Sequence, residues 1–323
     1  MKVLLIAPIV YGFSSQIELE IKKKGHDIDF IDEHILSNAK ILRKLVMKLP
    51  HSILIRLHTK YFLSLLTYEN KYDRVIIIRG EYLEGKVIEK LKKHFSQAQF
   101  IMYQWDFSKN LPLLSSQIKL FDKAYSFDKD DSELFNIEHK PLFFNRQYKE
   151  LNAKEGVTHD INFVGTDHSR RYVFIKEFIN CNKDNNFKYK IHLFRPLTSL
   201  LLAFLKKPTF FVGKKVKHFK VKPSSEHDTL LSMANSKVIL DITQPGQNGL
   251  TMRTLEALGL QKKLVTTNRS VEQYDFYNSE NIRILDSENL FIEKEFVDSP
   301  YKRTSKEVYN KYFIDNWVDD FIR

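Results

Sequence analysis

Cysteine occurs once, at Cys181, so no internal disulfide can form and a disulfide-framework protein is excluded. Ten glycines and nine prolines are about 6% of the chain, roughly half the usual share, which excludes collagen-like and low-complexity classes and leaves no room for a flexible linker. No apolar run reaches the roughly 18 residues that span a bilayer. The run Val3 to Val10 is short and contains Pro8, so no secretory signal is expected, and the setting is expected to be reducing and cytoplasmic. Also missing are the Walker phosphate loop, G-x-G-x-x-G, H-E-x-x-H and Cys/His zinc spacings, which removes the main support for ATPase, dinucleotide-dehydrogenase and zinc-hydrolase chemistry. No helix-turn-helix, zinc-finger or RNA-recognition signature occurs, and no nucleic-acid partner is expected. What is present is ordinary globular material: 323 residues, 43% hydrophobic and 28% charged, long enough for two domains.

Lys and Arg number 51 against 40 Asp and Glu, a formal +11, and the excess is confined to two acid-free windows. Between Glu33 and Glu69 there are six bases, namely Lys40, Arg43, Lys44, Lys48, Arg56 and Lys60. Between Asp184 and Glu226 there are ten, from Lys188 to Lys222. Outside them 35 basic and 40 acidic residues remain, so the chain is polarised. Both windows interleave bases with bulky apolar residues, as in Ile41 to Leu49 and Leu200 to Phe211. That mixture suits an anionic membrane surface, where each base contributes about 1 kcal/mol and apolar groups dip into the interface. The alternative is a pair of ordinary helices with solvated basic faces.

The hydrophobic pattern reads strand (Lys2 to Ala7), loop with Gly12, helix (Gln16 to Lys24) and strand (His26 to Ile31). Two helices broken at Pro50 follow, then a strand at Arg74 to Ile78, a helix at Leu83 to Phe95, and strands at Gln99 to Tyr103 and Lys123 to Phe127. A second half repeats this grammar, with strands at Asp160 to Val164, Tyr189 to Phe194, Val216 to Val221, Lys237 to Ile242 and Lys263 to Thr267, and a final helix from Thr304 to Phe321. Continuously apolar strands alternating with helices imply parallel sheets covered on both faces. The expected fold class is α/β, with two Rossmann-like domains facing each other across a cleft, at 1–150 and 151–323. The last helix is expected to pack back on the first domain.

The most informative segment runs from Asp241 through Gly249, Leu250, Thr251 and Arg253 to Glu256 and Gly259. A strand ends in a Gly-containing loop and a helix begins. Free N–H groups and the helix dipole favour an anion there, and Arg253 can clamp a phosphate in bidentate fashion. Glu256, one turn on, can accept two ribose hydroxyls; its bland alternative is a salt-bridged helix residue. Asp128-Lys-Asp130 permits a metal-held diphosphate, but Asp128 as a helix N-cap accounts for the same residues. The histidines show no metal-ligand spacing.

The run Gln244 to Asn268 resembles the donor-site helix and following strand of GT-B glycosyltransferases, closest to the bacterial capsule and lipopolysaccharide branch. Arg79-Gly80-Glu81, Tyr125 to Asp131 with Pro141 to Phe144, and Asn162 to His168 support the resemblance in order along the chain. It implies a nucleotide-sugar donor on the C-terminal domain and a glycan or lipid-linked glycan acceptor on the N-terminal one; no cofactor and no metal are expected, because Arg253, the helix N-terminus and nearby Lys can offset the leaving diphosphate's charge. It puts Gly249, Leu250 and Thr251 at the donor phosphates, Arg253 near the diphosphate and Glu256 on the ribose. Gly165, Thr166, Arg170 and Arg171 would form the other lip. Many retaining relatives carry a second Glu eight residues before the ribose-binding one; here that position is Asn248. An inverting transfer needs a base on the N-terminal domain, and Glu81 and Asp106, just past strand ends, are the catalytic candidates, ahead of His58 and His34. A non-catalytic nucleotide- or polyanion-binding protein is the rival reading.

Overall fold

The computed structural model describes residues 1–9, 12–36, 39–67, 69, 71–151, 156–168, 171–206, 219–244, 246–286 and 288–323; for Lys40, Ile41, Lys44, Thr67 and Lys206 only the backbone is described. By its internal contacts the chain divides into unit 1, Met1–Leu142 with Ile314–Arg323, and unit 2, Phe143–Phe313.

Unit 1 is built on a six-stranded parallel sheet in the order β2-β1-β3-β4-β5-β6. Its strands are β1 (Lys2–Ala7), β2 (Asp27–Asp32), β3 (Arg74–Ile78), β4 (Gln99–Gln104), β5 (Lys123–Ser126) and β6 (Glu138–His139). The central strands are apolar on both faces: Val3 to Ala7 and Val75 to Ile78 are almost wholly buried, as a parallel sheet covered by helices requires. The acid-free window forms the helices Lys40–Val46 and His51–Ser64, with Pro50 at the cap position of the second, where its missing N–H costs nothing. The segment Ile314–Arg323 adds Trp317 and Phe321, whose rings pack edge-on against Tyr103; Trp317 also donates to the Pro141 carbonyl at 2.8 Å.

Unit 2 has a second six-stranded parallel sheet, in the order β12-β11-β10-β7-β8-β9. Its strands are β7 (His159–Thr166), β8 (Tyr189–Phe194), β9 (Phe219–Lys220), β10 (Ser236–Asp241), β11 (Lys263–Thr266) and β12 (Ile282–Ile284). The first and fourth strands of the unit, β7 and β10, are neighbours, so the strand order reverses between them; ligands of such sheets collect at the carboxyl ends of that pair. Val216 to His218, the start of an expected strand, lie outside the described residues.

One expectation is corrected. In place of a single helix from Thr304 to Phe321 there are three short ones, Lys306–Lys311, Ile314–Trp317 and Asp319–Ile322. The break falls where the backbone leaves the helix to pair with another segment: Phe144 N–H donates to the Tyr312 carbonyl at 2.9 Å, and Phe144 and Phe313 form a parallel bridge. Asp128 caps the helix Lys129–Phe135, accepting from the Asp131 amide at 3.0 Å, which is the capping alternative for that acidic pair.

Candidate functional site

In unit 2 the reversal point is bridged by one side chain. Arg171, at the start of the helix Arg171–Cys181, donates from Nε and Nη2 to the Ile242 carbonyl at 3.0 and 2.7 Å and from Nη1 to the Thr166 carbonyl at 3.2 Å. It therefore ties the carboxyl end of β7 to the residue after β10. Gly165 makes room for it: a Cβ there would meet the Phe163 ring at 3.1 Å and Arg171 Nη1 at 3.5 Å. Arg170 lies outside the described residues.

The loop after β10 leads to the helix Met252–Gly259, capped by Thr251, whose Oγ1 accepts from the Thr254 amide at 3.2 Å. The same hydroxyl donates to Asp241 Oδ2 at 2.9 Å, and Thr254 adds a second hydroxyl at 3.2 Å. Asp241 is buried at the end of β10; burial pushes its carboxyl up, and the hydroxyls with Arg253 and Arg171 work against that push. Since first-turn amides have no intrahelical acceptor, the Met252 and Arg253 N–H groups are without one among the described residues. Leu250 is buried under this turn, and the Gly249 carbonyl is held by Asn268 Nδ2 at 3.1 Å and Gln247 Nε2 at 3.3 Å.

Arg253 and Glu256 meet on one helix face, with Nε 3.6 Å from Oε2, and Arg253 Nη1 lies 3.1 Å from Met233 Sδ. Glu256 is nearly buried. Tyr148 donates to its Oε1 at 2.7 Å, while Oε2 has no hydrogen-bond partner. One carboxylate oxygen is thus already satisfied, and the other is buried beside the Arg253 guanidinium without a hydrogen bond among the described residues. Beside the loop, at the carboxyl ends of β10 to β12, is a pocket of about 520 Å³ lined by Thr243, Gln244, Thr267, Arg269, Phe174 and Glu177 among others.

In unit 1 the residues past the strand ends converge on Arg79. Its φ of 72° is left-handed, an unusual state for a residue with a Cβ, and Gly80 follows at 63°. Arg79 Nη2 pairs with Glu81 Oε2 at 2.6 Å, Nη1 with Glu33 Oε1 at 3.4 Å, and Nε lies 3.6 Å from Asp106 Oδ2. Glu33, fully buried one residue past β2, accepts from the Gly80 amide at 2.8 Å. Burial pushes its carboxyl up to about 7 against the attraction of His34 and Arg79. Glu33, His34 and Glu81 offer ligand atoms within 4.8 Å of one another, the one such set among the described residues, and Arg79 already compensates both carboxylates. Asp106 is otherwise engaged locally, with Oδ1 accepting from Phe107 N–H and Asn110 Nδ2, both at 2.9 Å. His58 is buried and stacked on Tyr82, and burial lowers its imidazole.

Sequence reasoning thus selected residues that meet in each unit, Thr166, Arg171, Arg253 and Glu256 in one and Glu81 and Asp106 in the other. It gave no role to Asp241 and Arg79, which lie in segments it singled out, and it missed Tyr148 and Glu33. Glu33 was findable by the rule that selected Glu81, since it also stands just past the end of a strand; Tyr148 carried no local signal.

No family model matches the chain, and no curated protein matches it by sequence. Solved structures do match over the full length. HepE of Anabaena, in complex with UDP and glucose, aligns with a TM-score of 0.58 at 9% identity over 100% of this chain and 98% of that one. A trehalose-phosphate synthase (UDP-forming) of Burkholderia vietnamiensis gives 0.59 at 9% identity with the same coverage. The UDP-GlcNAc 2-epimerase of Neisseria meningitidis, bound to UDP-GlcNAc, gives 0.54 at 12% identity, again over 100% and 98%. Identities this low carry the fold and not the chemistry. With two six-stranded parallel sheets, each flanked by helices, the chain has the two-domain Rossmann-like fold of the GT-B class.

Proposed function

We propose that the chain is a glycosyltransferase that takes a sugar from a nucleoside-diphosphate donor. The observation that carries this is the corner of unit 2 where the Thr251-capped helix opens with two amides that have no partner among the described residues, at the strand-order reversal bridged by Arg171 and next to Arg253. A diphosphate there meets a helix N-terminus and a guanidinium, charge enough to stabilise the leaving group as it departs. Glu256 Oε2 is the acceptor for a ribose hydroxyl, with Tyr148 fixing the carboxylate's orientation. The neighbours solved with UDP or a UDP-sugar support the donor class.

The proton acceptor is assigned to the carboxylates gathered by Arg79, with Glu81 and Asp106 the more exposed members. The acceptor is a glycan or lipid-linked glycan of a surface polysaccharide; the resemblance of the Gln244 to Asn268 run to the capsule and lipopolysaccharide branch supports that choice. Transfer is metal-independent in this reading, so turnover should persist in chelator.

Titration calorimetry with UDP, GDP and ADP tests the donor site. Arg253→Ala should weaken the best-bound diphosphate about 10- to 150-fold, the loss of a charged hydrogen bond of roughly 1.5–3 kcal/mol. Unchanged affinity would remove Arg253 from the site. A second reading, epimerisation of a nucleotide sugar, is favoured by the likeness to the Neisseria protein. Incubating the donor without acceptor and resolving the sugar by NMR separates the two, since only an epimerase returns an isomeric nucleotide sugar.

A further inference from the structure

The helix Leu197–Lys206 of unit 2 is turned the wrong way round for a core helix. Apolar residues at i, i+4, i+7 and i+8 ordinarily face inward. Here that set includes Leu197, Leu201 and Leu205, and these three are 54–73% exposed, with Leu202 beside them at 57%. Leu200 alone enters the unit 2 core; Ser199 and Ala203 on the same side are half-buried. Isolated exposed leucines need no explanation, but a continuous stripe along ten residues does.

The charge around the stripe indicates what covers it. No acid occurs between Asp184 and Glu226. The edge strand β9 pairs with β8 so that Lys220 lies opposite Phe194, and the Arg195 amide donates to the Lys220 carbonyl at 2.9 Å, which brings an exposed lysine to the start of the helix. Lys222, also exposed, follows two residues on. A second copy of the chain would bring like charges together. Nucleic acid would meet the bases but leave aliphatic leucines in water. An anionic bilayer satisfies both, with headgroups on the lysines and acyl chains around the leucines.

We infer that the helix Leu197–Lys206 is a lipid-contacting element that inserts its Leu197, Leu201, Leu205 stripe into an anionic membrane interface. This deepens the reading of a lipid-linked acceptor by naming the contacting element, and its failure is distinguishable from failure of the transferase reading, because diphosphate affinity is measured on the same variants.

The test is flotation of the full chain with vesicles of phosphatidylcholine alone or with 30 mol% phosphatidylglycerol, about 8 Å Debye screening being kept constant at 0.15 M salt. The wild type should partition at least tenfold more to the anionic vesicles. Leu201→Ser/Leu205→Ser should lower that partition at least tenfold with the melting temperature and diphosphate affinity retained, and Lys220→Glu/Lys222→Glu should abolish the preference for phosphatidylglycerol. Leu205→Trp should be quenched by brominated phosphatidylglycerol, a readout independent of any loss of fold in the serine variant. Flotation indifferent to lipid charge, or unchanged in the serine variant, would overturn the assignment. So would a wild-type dimer that the serine variant dissociates, or a drop seen only with Leu42→Ser/Leu45→Ser, which would move the contact to the basic window of unit 1.

Discussion

Arg171 spends its whole fork on two backbone carbonyls, so its first role is to hold the ends of β7 and β10 in register. Arg171→Ala should destabilise unit 2 by about 2–3 kcal/mol in urea unfolding, as carbonyls bonded to a charged donor lose it. Arg171→Lys should not restore this, because an ammonium lacks the planar fork. Glu33 makes a pH-dependent prediction. A carboxyl raised from 4.5 to about 7 by burial holds its proton in the folded state after the unfolded chain has lost it, so stability falls as pH rises between those values. Glu33→Gln removes the titration. Between pH 5 and 8 the variant should gain on the wild type by up to an order of 3 kcal/mol, read from paired denaturation curves. An unchanged difference would mean that Glu33 titrates normally. Arg171 shows how far sequence carries: the resemblance placed it on the other lip of the donor pocket, but its carbonyl bridges depend on a loop 71 residues away.

The helix Met252–Gly259 was the most legible element, because Thr251, Arg253 and the glycines bounding the segment are local signals of where a helix starts and stops. What lies against it was not legible. Gly259 has no side chain because Phe144 needs the space: a Cβ there would sit 2.7 Å from the Phe144 ring and 3.0 Å from Tyr148 Cβ. Phe144 is itself wholly buried, with Phe313 stacked on it and Tyr309 alongside. Gly259→Ala should therefore cost about 1–3 kcal/mol by overpacking and, through Tyr148, weaken diphosphate binding. Full stability in the alanine variant would mean that Phe144 can step aside. The final helix misread as one element has the same origin: its 3.6-residue pattern is real, yet the pairing of Tyr312 and Phe313 with residue 144 outcompetes it.

At the scale of the molecule, ten of the twelve strands and the parallel sheets followed from apolar runs alternating with helices, since a strand buried on both faces has no polar side to show. The short strands β6 and β12 escaped because two or three residues carry no period. The segment Ile314–Arg323, the end of the expected last helix, is part of unit 1. Its anchor is Trp317, buried against Tyr103 and hydrogen-bonded to Pro141. Trp317→Ala should destabilise unit 1 by about 3–5 kcal/mol, leaving Arg253-dependent diphosphate affinity intact where the chain remains folded. Equal loss in both units would show them to unfold as one.

That anchor also sets an order of events during synthesis. The residues that complete unit 1 leave the ribosome only after the roughly 170 residues of unit 2, a delay of roughly ten to thirty seconds at ordinary elongation rates. For that interval Tyr103 and its neighbours wait uncovered on the nascent chain, a binding opportunity for a chaperone that closes when the last helices arrive.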